Sequence, residues 1–114
     1  MELTFFEQGA EPRPRAEVQI EQLAAQALPD GRRVAVRVVI TPFQDKPNLE
    51  LWITNAAGQV VAQTTMLEVI TPRLEPTLHI REAQPTGTYL LTAALAYDQD
   101  PAQHHKTYSF SVPT

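Results

Sequence analysis

Apolar and polar residues alternate along most of the chain, in short runs that are separated by turn residues. In the clearest run Val34, Val36, Val38 and Ile40 are spaced two apart, and most of the intervening positions are polar. Successive side chains of a β-strand point to opposite faces, so this pattern predicts a strand with one buried face. The same alternation recurs at residues 49–53, 78–80, 89–97 and 108–112 and, less regularly, at 59–70.

Residues 17–28 fit two patterns. Ile20, Leu23 and Ala27 have the spacing of one helical face, whereas Val18 and Ile20 alternate with polar residues as in a strand. We favour an opening strand followed by an irregular stretch, because a sandwich needs a strand beside the run that begins at Val34.

Turn residues separate the apolar runs, for example Pro29-Asp30-Gly31 and Asn55-Ala56-Ala57-Gly58. Short strands with turn signals between them predict an all-β fold, an antiparallel two-sheet sandwich of about seven strands. The 114 residues suit one domain. We place that domain at residues 16–114, after an N-terminal arm at residues 1–15 that contains Pro12 and Pro14.

A short motif extends this expectation. The segment Pro85-Thr86-Gly87-Thr88-Tyr89 resembles the start of a late strand in fibronectin type III and other immunoglobulin-like domains. The resemblance implies that the Tyr89 hydroxyl bonds to nearby backbone. The chain differs from antibody domains because it has no cysteine pair, and Trp52 is out of phase with its apolar neighbours. The role of the buried antibody tryptophan therefore does not carry over to Trp52.

Composition narrows the possible functions. The absence of cysteine excludes disulfides, thiolate catalysis and cysteine-ligated zinc, and it gives no support to an oxidising compartment. A formal net charge of −4 disfavours binding to nucleic acid or to an anionic membrane. No apolar run approaches the length of a membrane helix, and the first residues lack the pattern of a signal peptide. We therefore expect a cytoplasmic protein without a cofactor.

Trp52 is the residue that most suggests a binding surface. If Leu51 and Ile53 face the core, Trp52 faces outward, as does its strand neighbour Glu50. The outward set of the adjacent 89–97 strand includes Leu90, Thr92 and Ala94, so these five residues predict a weakly polar interaction surface. A protein partner or a second copy in a homodimer would fit it. In the competing interpretation the N-terminal arm covers Trp52 through Phe5 or Phe6, or a bulge turns Trp52 inward.

Catalytic and metal-binding chemistry has little support in the sequence. None of the common nucleophile, phosphate-loop, dinucleotide or zinc-protease motifs is present. His104 and His105 follow Asp98 and Asp100, but adjacent histidines diverge on a strand, so we predict no metal site. The prediction is a non-catalytic protein interaction or structural module. The alternative is a carbohydrate-binding module in which sugars stack on exposed Trp52 beside Glu50.

Overall fold

The computed structural model describes residues 11–113, which form eight β-strands and one short 3-10 turn at Arg15–Glu17. The strands are β1 (Ile20–Ala27), β2 (Arg33–Ile40), β3 (Asn48–Thr54), β4 (Val60–Met66), β5 (Arg73–Leu74), β6 (Thr77–His79), β7 (Gly87–Ala96) and β8 (His104–Val112).

The strands form two antiparallel sheets. One sheet has the order β1-β2-β5, with β6 also paired to β2, and the other has the order β4-β3-β7-β8. This arrangement confirms the predicted two-sheet sandwich, with eight strands in place of about seven. The extra strand arises where β2 pairs first with β5 and then with β6, because Pro76 stands between these two short strands and has no N–H to donate to a ladder.

The core lies between the inner faces of β2, β3 and β7. Val34 and Val38 of β2, Leu51 of β3, and Leu91 and Leu95 of β7 are all 0% exposed. Each is separated by one residue from the next inward position, which is the spacing that predicted these strands. Burial of one such side chain contributes about 1.5–3 kcal/mol, so the alternation itself drives the two sheets together.

Strand β1 explains the ambiguous pattern at residues 17–28. The strand begins at Ile20, and its register against β2 shifts between Ile20 and Gln22. That irregularity lets Ile20, Leu23 and Ala25 all face the core, so the spacing of buried residues imitates a helix at the start of the strand. The irregular part therefore precedes the regular part, which is the reverse of the predicted order.

The chain before β1 is fixed to the β2–β3 connection. The Arg13 N–H donates to the Pro42 carbonyl at 2.8 Å, and the Gln44 N–H donates to the Arg13 carbonyl at 2.9 Å. Arg15 donates to Asp45 at 3.0 Å and to Asp98 at 2.7 Å. These contacts dock residues 11–17, while Phe5 and Phe6, which could have covered Trp52, lie outside the described residues.

The Tyr89 side chain closes one end of the sandwich. Its ring is 2% exposed and stacks on Phe110, with 5.8 Å between the ring centroids. The Thr86 N–H donates to the Tyr89 hydroxyl at 3.1 Å, which is the backbone bond that the motif implied. The hydroxyl donates in turn to Glu82 at 2.5 Å, and Asn55 donates to the same carboxylate at 2.9 Å. One hydroxyl thus joins the loop before β7 to the β3–β4 turn.

Removal of the Tyr89 hydroxyl tests how much this hydrogen-bond network contributes to stability. We expect Tyr89→Phe to lower the free energy of unfolding by about 1–3 kcal/mol, because the Thr86 N–H and the Glu82 carboxylate lose their shared partner. Urea denaturation measures the change. Tyr108→Phe is the matched control, since Tyr108 is 39% exposed and should lose little. Equal losses in the two variants would contradict the assigned role.

The same network predicts a pH dependence. The hydrogen bonds from Tyr89 and, to a smaller extent, from Asn55 lower the pKa of the Glu82 carboxyl below its ordinary value. Because the folded state has the lower pKa, the carboxylate stabilises the fold above the unfolded-state pKa, and this contribution is lost as the pH falls through the folded-state pKa. Glu82→Gln should therefore be less stable than the native chain at neutral pH, and urea midpoints should converge in acid. A gap that stays constant with pH would refute this.

Candidate interaction surface

The outer face of the β4-β3-β7-β8 sheet carries the residues that the sequence singled out. Trp52 pairs with Gln63 of β4 on one side and with Thr92 of β7 on the other. Its strand neighbours Leu51 and Ile53 are 0% exposed, so Trp52 points away from the core. We call this surface the Trp52 face; it comprises Glu50, Trp52, Thr54, Val60, Gln63, Leu90, Thr92 and Ala94.

Access to solvent differs among these residues. Leu90 is 39% exposed and Trp52 is partly exposed, whereas Thr92 is 9% and Ala94 only 6% exposed. The register places Ala94 beside Glu50. Trp52, Leu90 and Glu50 can therefore touch a partner, while Thr92 and Ala94 form the floor between them.

Val60 belongs to the same face, although sequence reasoning missed it. Val60 is 56% exposed and pairs with Thr54, which pairs with Leu90 on its other side. A register shift opposite Ile53 and Thr54 breaks the alternation at the start of β4. Because of this irregularity, alternation alone could not show whether Val60 or Val61 faces outward. Val60 and Leu90 thus flank Thr54, and the apolar area extends along the sheet from Trp52.

The Trp52 face carries little charge. Among the outward side chains of these four strands, Glu50 and His105 are ionisable, and most of the others are threonine, serine, alanine or amide. The Glu50 carboxylate accepts a hydrogen bond from the Gln63 side chain at 2.6 Å. The centre of the face therefore presents an indole and aliphatic groups with one acid already paired.

The outer face of the other sheet is different in kind. Arg33 forms an ion pair with Asp30 at 2.7 Å, and Arg37 lies 3.6 Å from Glu75. These side chains are largely exposed, and pairs of this sort contribute little to stability. This face is consequently a solvated surface of mixed charge, and the Trp52 face stands out by contrast.

The two adjacent histidines lie at the start of β8 and diverge. The Ile20 N–H donates to Nδ1 of His104 at 3.0 Å, whereas His105 stands opposite Ala94. Between residues 11 and 113 no group of three or more histidine, aspartate or glutamate side chains is arranged to hold a metal ion.

Over the same range no helix has the length and apolar character needed to cross a bilayer. The cytoplasmic location stays a prediction.

Comparisons with known proteins identify the fold and no family. No protein-family model and no curated protein matches the sequence. Solved structures do match. A glycosyl hydrolase family 2 member from Bacteroides cellulosilyticus superposes with a TM-score of 0.64 at 16% identity over 83% of this chain. A putative β-galactosidase from Bacteroides fragilis gives a TM-score of 0.62 at 14% identity over 83%. A β-glucuronidase from Ruminococcus gnavus gives 0.58 at 14% identity over 86%.

These matches concern a small part of each neighbour. The chain covers 14% of the Bacteroides cellulosilyticus protein, 17% of the putative β-galactosidase and 16% of the β-glucuronidase. At such low identity they show that a β-sandwich domain of this shape occurs within much larger chains. The activity of those proteins does not transfer with the fold.

Two neighbouring substitutions test the orientation of β3. Leu51→Ala removes a fully buried side chain, and we expect a loss of about 2–5 kcal/mol in the free energy of unfolding. Trp52→Ser removes a larger side chain from the outer face, where only cross-strand contacts are lost, and should cost about 1 kcal/mol or less. Urea titration followed by circular dichroism gives both values. A larger loss for Trp52→Ser would mean that the indole belongs to the core.

Proposed function

We propose that this chain is a non-catalytic, immunoglobulin-like β-sandwich module that binds another protein or domain through the Trp52 face. The observation that carries the proposal is a partly exposed tryptophan in the middle of a nearly uncharged sheet surface, extended by exposed Leu90 and Val60. Tryptophan is enriched among residues that dominate binding energy, and contiguous apolar surface marks interaction sites.

The surroundings of the indole suit a protein surface. Protein interfaces combine an apolar centre, depleted in charge, with a polar rim. Here Trp52 and Leu90 supply the centre, while Gln63, Thr107 and Ser109 supply hydroxyl and amide groups around it. An open sheet face of this kind offers a broad contact area and little enclosure for a small substrate.

The structural neighbours support the module role. In the three neighbours described above the matched region is between 14% and 17% of the chain, so the likeness is to one domain of a larger protein. Function resides in the sites that a domain carries, so the role of this chain is argued from its surface and not from the activity of the neighbours. This chain would then act by holding a partner in place.

Carbohydrate binding is the second candidate. Its support is the Glu50–Gln63 pair beside Trp52, which sets an acid and an amide next to an aromatic ring. Trp52 is the single tryptophan of the chain, so its fluorescence reports directly on this face. We expect no saturable change when a panel of oligosaccharides is titrated. A saturable change that Glu50→Ala weakens and Tyr108→Phe leaves unchanged would favour the carbohydrate alternative.

Site-specific cross-linking tests the protein-binding proposal. A photoreactive amino acid at Leu90 should capture a defined partner in the cells that produce the protein. The matched control is the same group at Arg37, an exposed position on the other sheet. Trp52→Glu should abolish capture from Leu90, because a carboxylate would then be buried against an apolar partner. Equal capture from both positions, or capture that survives Trp52→Glu in a folded protein, would refute the assignment.

A further inference from the structure

We propose that the partner of the Trp52 face is a second copy of this chain, stacked face to face about a two-fold axis that runs along β7. The inference rests on the proposed function, because it names the occupant of the same surface. In this arrangement β3 of each copy lies over β8 of the other, and β7 lies over β7. Stacked sheets ordinarily keep their strands within about 30° of each other, which this axis allows.

The registers of β3, β7 and β8 set the outward side chains in rows across the sheet. Residues directly opposite each other in an antiparallel ladder project from the same side, so the pairings define each row. The three rows are Glu50–Ala94–His105, Trp52–Thr92–Thr107 and Thr54–Leu90–Ser109. A half-turn about β7 keeps each row at its own level along the strands and exchanges its β3 end with its β8 end.

The first row makes the face complementary to itself in charge. Glu50 and His105 lie on opposite sides of Ala94, so the half-turn sets the Glu50 carboxylate of each copy against the His105 imidazole of the other. An imidazole N–H donates to a carboxylate, and protonation of the ring strengthens the bond. Two copies of net charge −4 repel each other, and this face lets them meet without opposing like charges.

The other two rows make the face complementary to itself in shape. Trp52 has the largest side chain of its row, whereas Thr92 is only 9% exposed and forms the floor. The half-turn lays each indole over Thr107 and beside Thr92 of the other copy, so the two indoles are covered without meeting. Leu90, which is 39% exposed, lies on the axis and packs against Leu90 of the other copy.

The size of the contact sets the expected strength. Three of the four strands overlap, and Val60 on β4 remains outside the contact. Such an area is at the small end of specific interfaces, which is the range of weak and reversible complexes. We therefore expect a dimer dissociation constant on the order of 10 μM.

Sedimentation equilibrium of the full chain tests the inference. Over a concentration series that reaches about 1 mM, the mass should rise from 12.7 kDa towards twice that value. His105→Glu should raise the dimer dissociation constant about tenfold or more, because it opposes two carboxylates. His79→Glu is the matched control, since it makes the same change at an exposed position of the other sheet. It should leave the dissociation constant unchanged.

An exchange of the two residues tests the axis itself. Glu50→His combined with His105→Glu rebuilds both pairs with their members exchanged. The double variant should therefore dimerise within about threefold of the native chain, although His105→Glu alone does not. A double variant that binds no more tightly than His105→Glu would contradict the inference. Should His105→Glu not fold by circular dichroism, Thr107→Glu, which opposes a carboxylate to the indole, replaces it and should also weaken the dimer.

The outcomes distinguish this inference from the proposed function. A native chain that stays monomeric while the cross-linker at Leu90 captures a different protein would overturn the second copy and leave the proposed function standing. A monomeric chain with no capture would overturn both. A dimer whose dissociation constant is unchanged in folded His105→Glu and Trp52→Glu would lie on another surface and would overturn the inference.

Discussion

The pairing of β3 with β7 is the interaction on which the rest of the structure depends. Its register sets Leu51 against Ala93 and Trp52 against Thr92, and the pleat sends the first pair inward and the second outward. A slip of one residue would bury the indole and expose leucine. The complete burial of Leu51 and Leu91 prevents that slip, so one register defines both the core and the Trp52 face.

The regular strands could be predicted because burial imposes period two on their sequences. Val34 to Ile40 and Tyr89 to Leu95 follow it closely, and the structure confirms both as strands. The bulges could not be predicted. At Ile20 and again near Val60, an extra residue breaks the period, and no residue type marks the place. The exposure of Val60 and the true order within β1 were missed for this reason.

The surface features differ in how well they could be predicted from the sequence. Trp52 and Leu90 were identified because their inward neighbours are strongly apolar, which leaves only the outer face. Thr92 and Ala94 were expected to be accessible, and their low exposure depends on how neighbouring side chains lie, which alternation does not specify. The position of β4 at the edge of its sheet could not be predicted from alternation, because the order of strands in a sheet is a property of topology.

The most direct test of the account is the environment of the single indole. Nuclear Overhauser contacts from the Trp52 ring should reach Thr92 and Gln63, which are its cross-strand neighbours. They should not reach Val36 or Val38, which face the core from the other sheet. Contacts with those valines would put the indole between the sheets, and the surface assigned to binding would then not exist.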